Sequence, residues 1–338
     1  MGHSESRSIT GPLIENNKKA RPTMQQVKPL TNIFAQKTVK QPIHCVGVGL
    51  HSGARVSLAI LPAGVDEGIR FVRTDLPEGE NVIRARFDAV ADTQLCTVIA
   101  NKHGATVGTI EHLMAALAGA GVDNAVIELD GAEVPIMDGS ARPWVFLLRC
   151  AGTRSMGQPR RALRILKPVE VVDGDKRAAF TPSAGARYDF MIDFMPKAPK
   201  AIGRQAYRFD MIPGAFDSDL ADCRTFGFAE DVAMLRKMGL ARGGSLENAV
   251  VVEDDKVINP TGLRRPDEFV RHKVLDAVGD LFLAGGPFIG TFEGERAGHD
   301  MNNRLLRALF ADPTAYEWVD LDAASALPET AMEEAIVA

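Results

Sequence analysis

Between residues 36 and 155, apolar and polar positions first alternate and then shift to helical spacing. Val56-Ser57-Leu58-Ala59-Ile60-Leu61 and Gly68-Ile69-Arg70-Phe71-Val72-Arg73 alternate as half-buried strands. The stretch from Thr109 is filled with Ala and Leu and reads as a helix, with Thr109 as its N-cap and Gly119 and Gly121 at its end. Val126-Ile127-Glu128-Leu129-Asp130 predicts another short strand, and Pro143-Trp144-Val145-Phe146-Leu147-Leu148 opens a second helix. Polar Arg154-Ser155-Met156-Gly157-Gln158-Pro159 reads as a linker. Strands then restart at residues 169–172 and 189–194, with the turn Asp173-Gly174-Asp175-Lys176 between them. Helical spacing returns over residues 231–238 and 267–283. Strands grouped apart from paired helices predict an α+β fold rather than an alternating parallel one. No internal repeat stands out.

The last of these helices carries the most chemistry. Phe269, Val270, Val274, Leu275, Val278 and Leu281 recur at intervals that give it a continuous apolar side. His272 and Asp276 stand four residues apart and therefore share a face, and Asp280 lies one turn further on. An imidazole and a carboxylate on one helix face can supply two of the three protein ligands of a catalytic zinc. The same pair also fits a solvated helix carrying a chance His/Asp spacing, so it needs a third ligand elsewhere.

The chain has seven histidines, and His3, His44 and His103 sit in polar or turn-like settings with no acidic companion. His112 follows Glu111 in the first turn of the expected helix from Thr109. One side chain there can bind a metal while its neighbour takes a proton from water, the usual division of labour in metal-assisted hydrolysis. Glu-His is a common dipeptide, and the sequential His/Cys motifs of other zinc sites are absent.

Composition narrows the class without choosing an activity. With 338 residues and 46% hydrophobic content the chain is long enough for two ordinary cores. A net charge of -5 gives no reason to expect a nucleic-acid partner. Cys45, Cys96, Cys150 and Cys223 are widely spaced, without metal-type pairing, and read as reduced thiols of a cytoplasmic enzyme. No run approaches 18 apolar residues, so no membrane span is expected. The first 33 residues are polar and lack the apolar core of a signal peptide, which makes residues 1–33 an expected disordered extension.

Several stretches, in order, resemble the UDP-3-O-acyl-N-acetylglucosamine deacetylase family of lipid A biosynthesis. They are Gly47-Val48-Gly49-Leu50-His51-Ser52-Gly53, Arg73-Thr74-Asp75-Leu76, Thr109 through Asn124, and Pro135-Ile136-Met137-Asp138-Gly139-Ser140-Ala141. Arg224-Thr225-Phe226-Gly227-Phe228, Gly243-Gly244-Ser245, Asp267 through Leu281 and Gly298-His299-Asp300-Met301-Asn302-Asn303 complete the set. They span about residues 34 to 320, nearly the whole chain. The resemblance implies two similarly folded α+β domains, each a mainly antiparallel sheet layered with two helices, with the active site between them. The expected divisions are 34–155 and 160–322, followed by a tail over 323–338.

The resemblance also implies roles. His112, His272 and Asp276 match ligands of one Zn2+ per chain, with Fe2+ an alternative occupant in the cell. Glu111 matches the general base. His299 matches a cationic acid held by Asp280, Thr225 a hydroxyl donor to the oxyanion, and Lys273 a positive group near the substrate. Cys96, Phe226 and His51 are candidate substrate contacts; His51, in a glycine-flanked turn, also fits a structural role. By sequence context alone His299 lies in a loop. The implied substrate is a UDP-linked acylated glucosamine, and the expected state is a monomer. The stretch matching the acyl-chain passage, Phe194 through Gln205, has Lys-Ala where the family's His-Pro precedes Ile-Gly, and Cys223 stands where Ala or Ser is commoner. Both departures bear on acyl-chain preference rather than on the chemistry.

Overall fold

The computed structural model describes Met1, Gly2 and residues 34–321, so the expected tail and all but the first two residues of the expected extension lie outside the described residues. A five-stranded sheet runs in the order Ile43–Val48, Arg55–Pro62, Ala125–Leu129, Ile69–Arg73, Val82–Arg84. Its pairings are antiparallel except that of Ile69–Arg73 with Ala125–Leu129. Helices α1 (Glu111–Ala120) and α2 (Arg142–Ala151) accompany it. Two shorter helices, α3 (Ala215–Asp219) and α4 (Ala229–Lys237), precede α5 (Glu268–Phe282) and α6 (His299–Ala311).

These last two accompany a seven-stranded sheet centred on Phe288–Glu295. That strand pairs antiparallel with Lys176–Thr181 and parallel with Ala186–Asp193 and Arg161–Ile165. Smaller sheets join Phe226–Phe228 with Val250–Glu253 and Lys256–Val257, and Val98–Ala100 with its two short neighbours. The architecture is the expected α+β one, with mainly antiparallel sheets.

The interior is organised around α1 and α5. The first seven residues of α1, Glu111 through Leu117, are all buried. On α5 the apolar side is buried as expected, but so are His272, Asp276 and Asp280. A helix buried on its polar side as well must satisfy those groups internally or leave them costly. The two helices approach closely because Gly279 has no side chain where α5 meets the α1 backbone at Glu111. Gly121, with φ 65°, ends α1 in the left-handed region, as the sequence predicts.

Three local readings are corrected. Thr109 does not cap α1: Ile110 holds the cap position, and Thr109 has φ 56° rather than the extended backbone of a capping residue, with its hydroxyl donating to Glu133 Oε1 at 3.1 Å. The polar linker is a strand, Thr153–Pro159, paired antiparallel with Ala35–Val39. It is mostly exposed, so no apolar alternation marks it. His299 is not in a loop but is the first residue of α6, entered from extended Gly298.

Candidate active site

The N-terminal turn of α1 and the middle of α5 bring the candidate ligands together. His112 Nε2 lies 3.6 Å and His272 Nε2 lies 3.3 Å from the same oxygen, Asp276 Oδ1. The candidate donor atoms of these three residues all fall within 4.8 Å of one another. The two rings meet edge to face, with centroids 5.0 Å apart.

Two further atoms of these residues are engaged. His272 Nδ1 sits 3.1 Å from the Cys223 carbonyl and donates to it, which leaves Nε2 with its lone pair free. Lys273 Nζ donates to Asp276 Oδ2 at 2.6 Å. Asp276 Oδ1 is buried and has no hydrogen-bond partner. Burial, outweighing the pull of Asp276, pushes His272 down to about 3, so the ring is neutral. Asp276 is held well below the usual carboxylate range: burial opposes ionisation, but His272 and Lys273 overcome it. Two imidazole nitrogens and an ionised, unsatisfied carboxylate oxygen converging at one point fit a divalent cation of borderline softness.

Beside this cluster stands a second set of groups. Glu111 is 3% exposed, and its Oε2 accepts the Thr97 backbone N–H at 3.1 Å. Burial raises its pKa, with the charges of His299 and His112 pulling the other way. His299 Nδ1 donates to Asp280 Oδ2 at 2.8 Å. Burial and the N-terminus of α6 both disfavour a cation there. The Asp280 charge and hydrogen bond, with Glu111 behind them, outweigh burial and lift His299 to about 9. Asp280 is fully engaged: Oδ1 accepts Thr97 Oγ1 at 2.6 Å and Oδ2 also accepts Asn302 Nδ2 at 2.9 Å.

The other candidate residues are placed as follows. Lys273 sits on Asp276, and although burial opposes its charge, that carboxylate raises its pKa. Thr225 is half-buried; its N–H donates to the Gly139 carbonyl and its own carbonyl accepts from Val250, each at 2.8 Å. Phe226 packs edge-on against Phe269, with centroids 5.0 Å apart, and lies 6.3 Å from the His272 ring. Cys96 is buried, and burial followed by the Glu111 charge pushes its thiol up to about 12, so it remains protonated. His51 donates its backbone N–H to Glu133 at 2.8 Å, while both ring nitrogens are buried without partners. Burial lowers its pKa, and the charge of His299 adds to that.

Sequence reading passed over Thr97, Asn302 and Glu133. Asn302 carried a usable signal, since it stands one turn after His299 and so shares its face. Thr97 and Glu133 carried none, because their partners lie far away in sequence. Glu133 fixes the turn at His51 and Ser52 by accepting both backbone N–H groups at 2.8 Å.

Comparison with known proteins identifies the family of the chain. The family model described as UDP-3-O-acyl N-acetylglycosamine deacetylase matches residues 36–311. A protein of Phenylobacterium zucineum named UDP-3-O-acyl-N-acetylglucosamine deacetylase is 57% identical over 281 residues, 83% of this chain and 95% of its own length. Proteins of the same name from Shewanella loihica and Shewanella frigidimarina are 49% and 48% identical, over 87% and 88% of this chain and 95% and 96% of their own lengths. The match takes in both helices of the cluster, and this chain belongs to the UDP-3-O-acyl-N-acetylglucosamine deacetylase family.

Proposed function

We propose that this chain hydrolyses the N-acetyl group of UDP-3-O-(3-hydroxyacyl)-N-acetylglucosamine, giving the free amine and acetate, the committed step of lipid A biosynthesis. The observation that carries the reading is the orphaned Asp276 Oδ1 between two imidazole Nε2 atoms, beside a buried carboxylate and an Asp-held histidine. His112, His272 and Asp276 would hold one Zn2+. Bound there, the ion would supply Lewis acidity for amide hydrolysis at neutral pH.

The chain's own groups handle the protons. Glu111 Oε2 is tied to Thr97, so Oε1 is the oxygen that takes a proton from the attacking water. His299 Nδ1 is tied to Asp280, so Nε2 is the atom that gives a proton to the departing nitrogen. The Thr225 hydroxyl and the His299 cation stabilise the oxyanion as the carbonyl carbon becomes tetrahedral. Lys273 keeps Asp276 ionised and adds positive charge toward the acetate formed. Phe226, which packs on Phe194, borders the route of the acyl chain, and His51 and Cys96 line the substrate side.

Among the described residues no helix is long and apolar enough to cross a membrane. The reading is a cytoplasmic monomer with domains over 34–155 and 160–322. Acetate release from the acylated UDP-sugar, measured with and without a chelator, tests it. Chelator-sensitive release is expected. Release from other acetamides but not from this substrate would replace the reading with a different metal amidohydrolase.

A further inference from the structure

Thr97 touches both halves of the proposed proton machinery and belongs to neither helix that carries them. It lies just before the short strand Val98–Ala100, brought against α1 and α5 by the chain fold. Its backbone N–H donates to Glu111 Oε2 at 3.1 Å, and its hydroxyl donates to Asp280 Oδ1 at 2.6 Å. The hydroxyl–carboxylate distance is that of a charge-assisted bond. Without it, Asp280 Oδ1 loses its hydrogen-bond donor inside a buried site, and the carboxylate is fixed at one oxygen instead of two. Asp280 Oδ2 would then be held only by His299 and Asn302. Thr97 is 2% exposed, so no substrate can reach it.

We propose that Thr97 is a positioning residue that fixes the Glu111 carboxylate and the Asp280–His299 pair relative to one another. This rests on the reading of Glu111 as base and His299 as acid. The balance of bonds predicts a defect in turnover alone. Loss of a hydrogen bond to a charged group typically corresponds to a tenfold to hundredfold effect.

The test uses full-length, zinc-loaded protein and compares Thr97→Val, Thr97→Ser and His299→Ala, with Thr97→Val also placed in the His299→Ala background. Thr97→Val should lower kcat by about tenfold or more, with KM and bound zinc unchanged, and Thr97→Ser should restore kcat to within about threefold. In the His299→Ala background the same Val substitution should cost about twofold or less, because the group it acts through is gone. Equal loss in Val and Ser would mean that keeping the hydroxyl does not keep the rate and would overturn the proposal, as would full additivity with His299→Ala or an unchanged kcat in Val. Should Thr97→Val not fold, Thr97→Cys, a weak donor of similar size, takes its place in each comparison. Wild-type turnover in His299→Ala itself would instead sink the underlying acid assignment.

Discussion

Gly279 of α5 faces the backbone of α1 at Glu111: a methyl group there would overlap the Glu111 carbonyl oxygen and stand 3.1 Å from the Ala115 nitrogen. The crossing point of the two helices is thus set one residue from Asp280 on one side and at the proposed base on the other. Backbone atoms cannot turn aside as a flexible side chain can, so any Cβ must push the helices apart.

Gly279→Ala should therefore damage the site more than the fold. Overpacking of this kind typically costs about 1–3 kcal/mol. Displacement of His112 from His272 and Asp276 should lower metal occupancy as well. Thermal melting with metal analysis on the same samples checks this. An alanine variant with wild-type stability and full metal content would show that the close approach does not set the site.

The proton assignments predict a bell-shaped pH–rate profile. Burial raises Glu111, so the acid limb should lie above the ordinary carboxylate range. His299, lifted to about 9, is the required cation below that pH and loses its proton above it, so activity should fall on the alkaline side. Asp280→Asn removes the charge that opposes burial, and the alkaline limb should move to lower pH. Glu111→Ala should retain metal yet lose about two to four decades of kcat, the range for a positioned proton-transfer group. An alkaline limb unchanged in His299→Ala would reject His299 as the acid.

The buried Arg224–Glu268 pair should prove essential to both stability and metal binding. Arg224 Nε lies 2.9 Å from Glu268 Oε1, and Glu268 Oε1 also accepts the Arg224 backbone N–H at 2.9 Å. The adjacent residue, Cys223, supplies the carbonyl that orients His272. Glu268→Ala leaves a buried unpaired guanidinium, a loss of about 3–5 kcal/mol. Urea unfolding should show that loss, and zinc affinity should fall with it. A variant destabilised by less than about 1 kcal/mol would mean that water or another group satisfies Arg224.

Much of this site was legible in the sequence for a physical reason. Helical spacing places His272, Asp276 and Asp280 on one face whatever surrounds them, and Glu111-His112 falls in a first turn whose C-terminal glycine is in place. The convergence of α1 with α5 was not legible from spacing, because it depends on Gly279 meeting a backbone more than 150 residues away. Edge and exposed strands were lost for want of contrast. Ile43–Val48 has no fully buried position, and Thr153–Pro159 has one partly buried residue in seven. His299 was misplaced because Gly298 resembles a turn residue, whereas its extended backbone delivers the chain into α6. Thr109 misses the cap that its residue type suggests because its backbone is left-handed and Ile110 takes the cap position.

The most direct measurement is a titration of metal-free protein with Zn2+, recording bound metal and acetate release on the same samples. Activity should rise in step with occupancy and level off at one equivalent per chain. His112→Ala, His272→Ala and Asp276→Ala should each lose both together, because each removes a donor from the same point. Full activity in the metal-free chain, or one tightly bound equivalent with normal turnover in any of the three variants, would contradict the assignment.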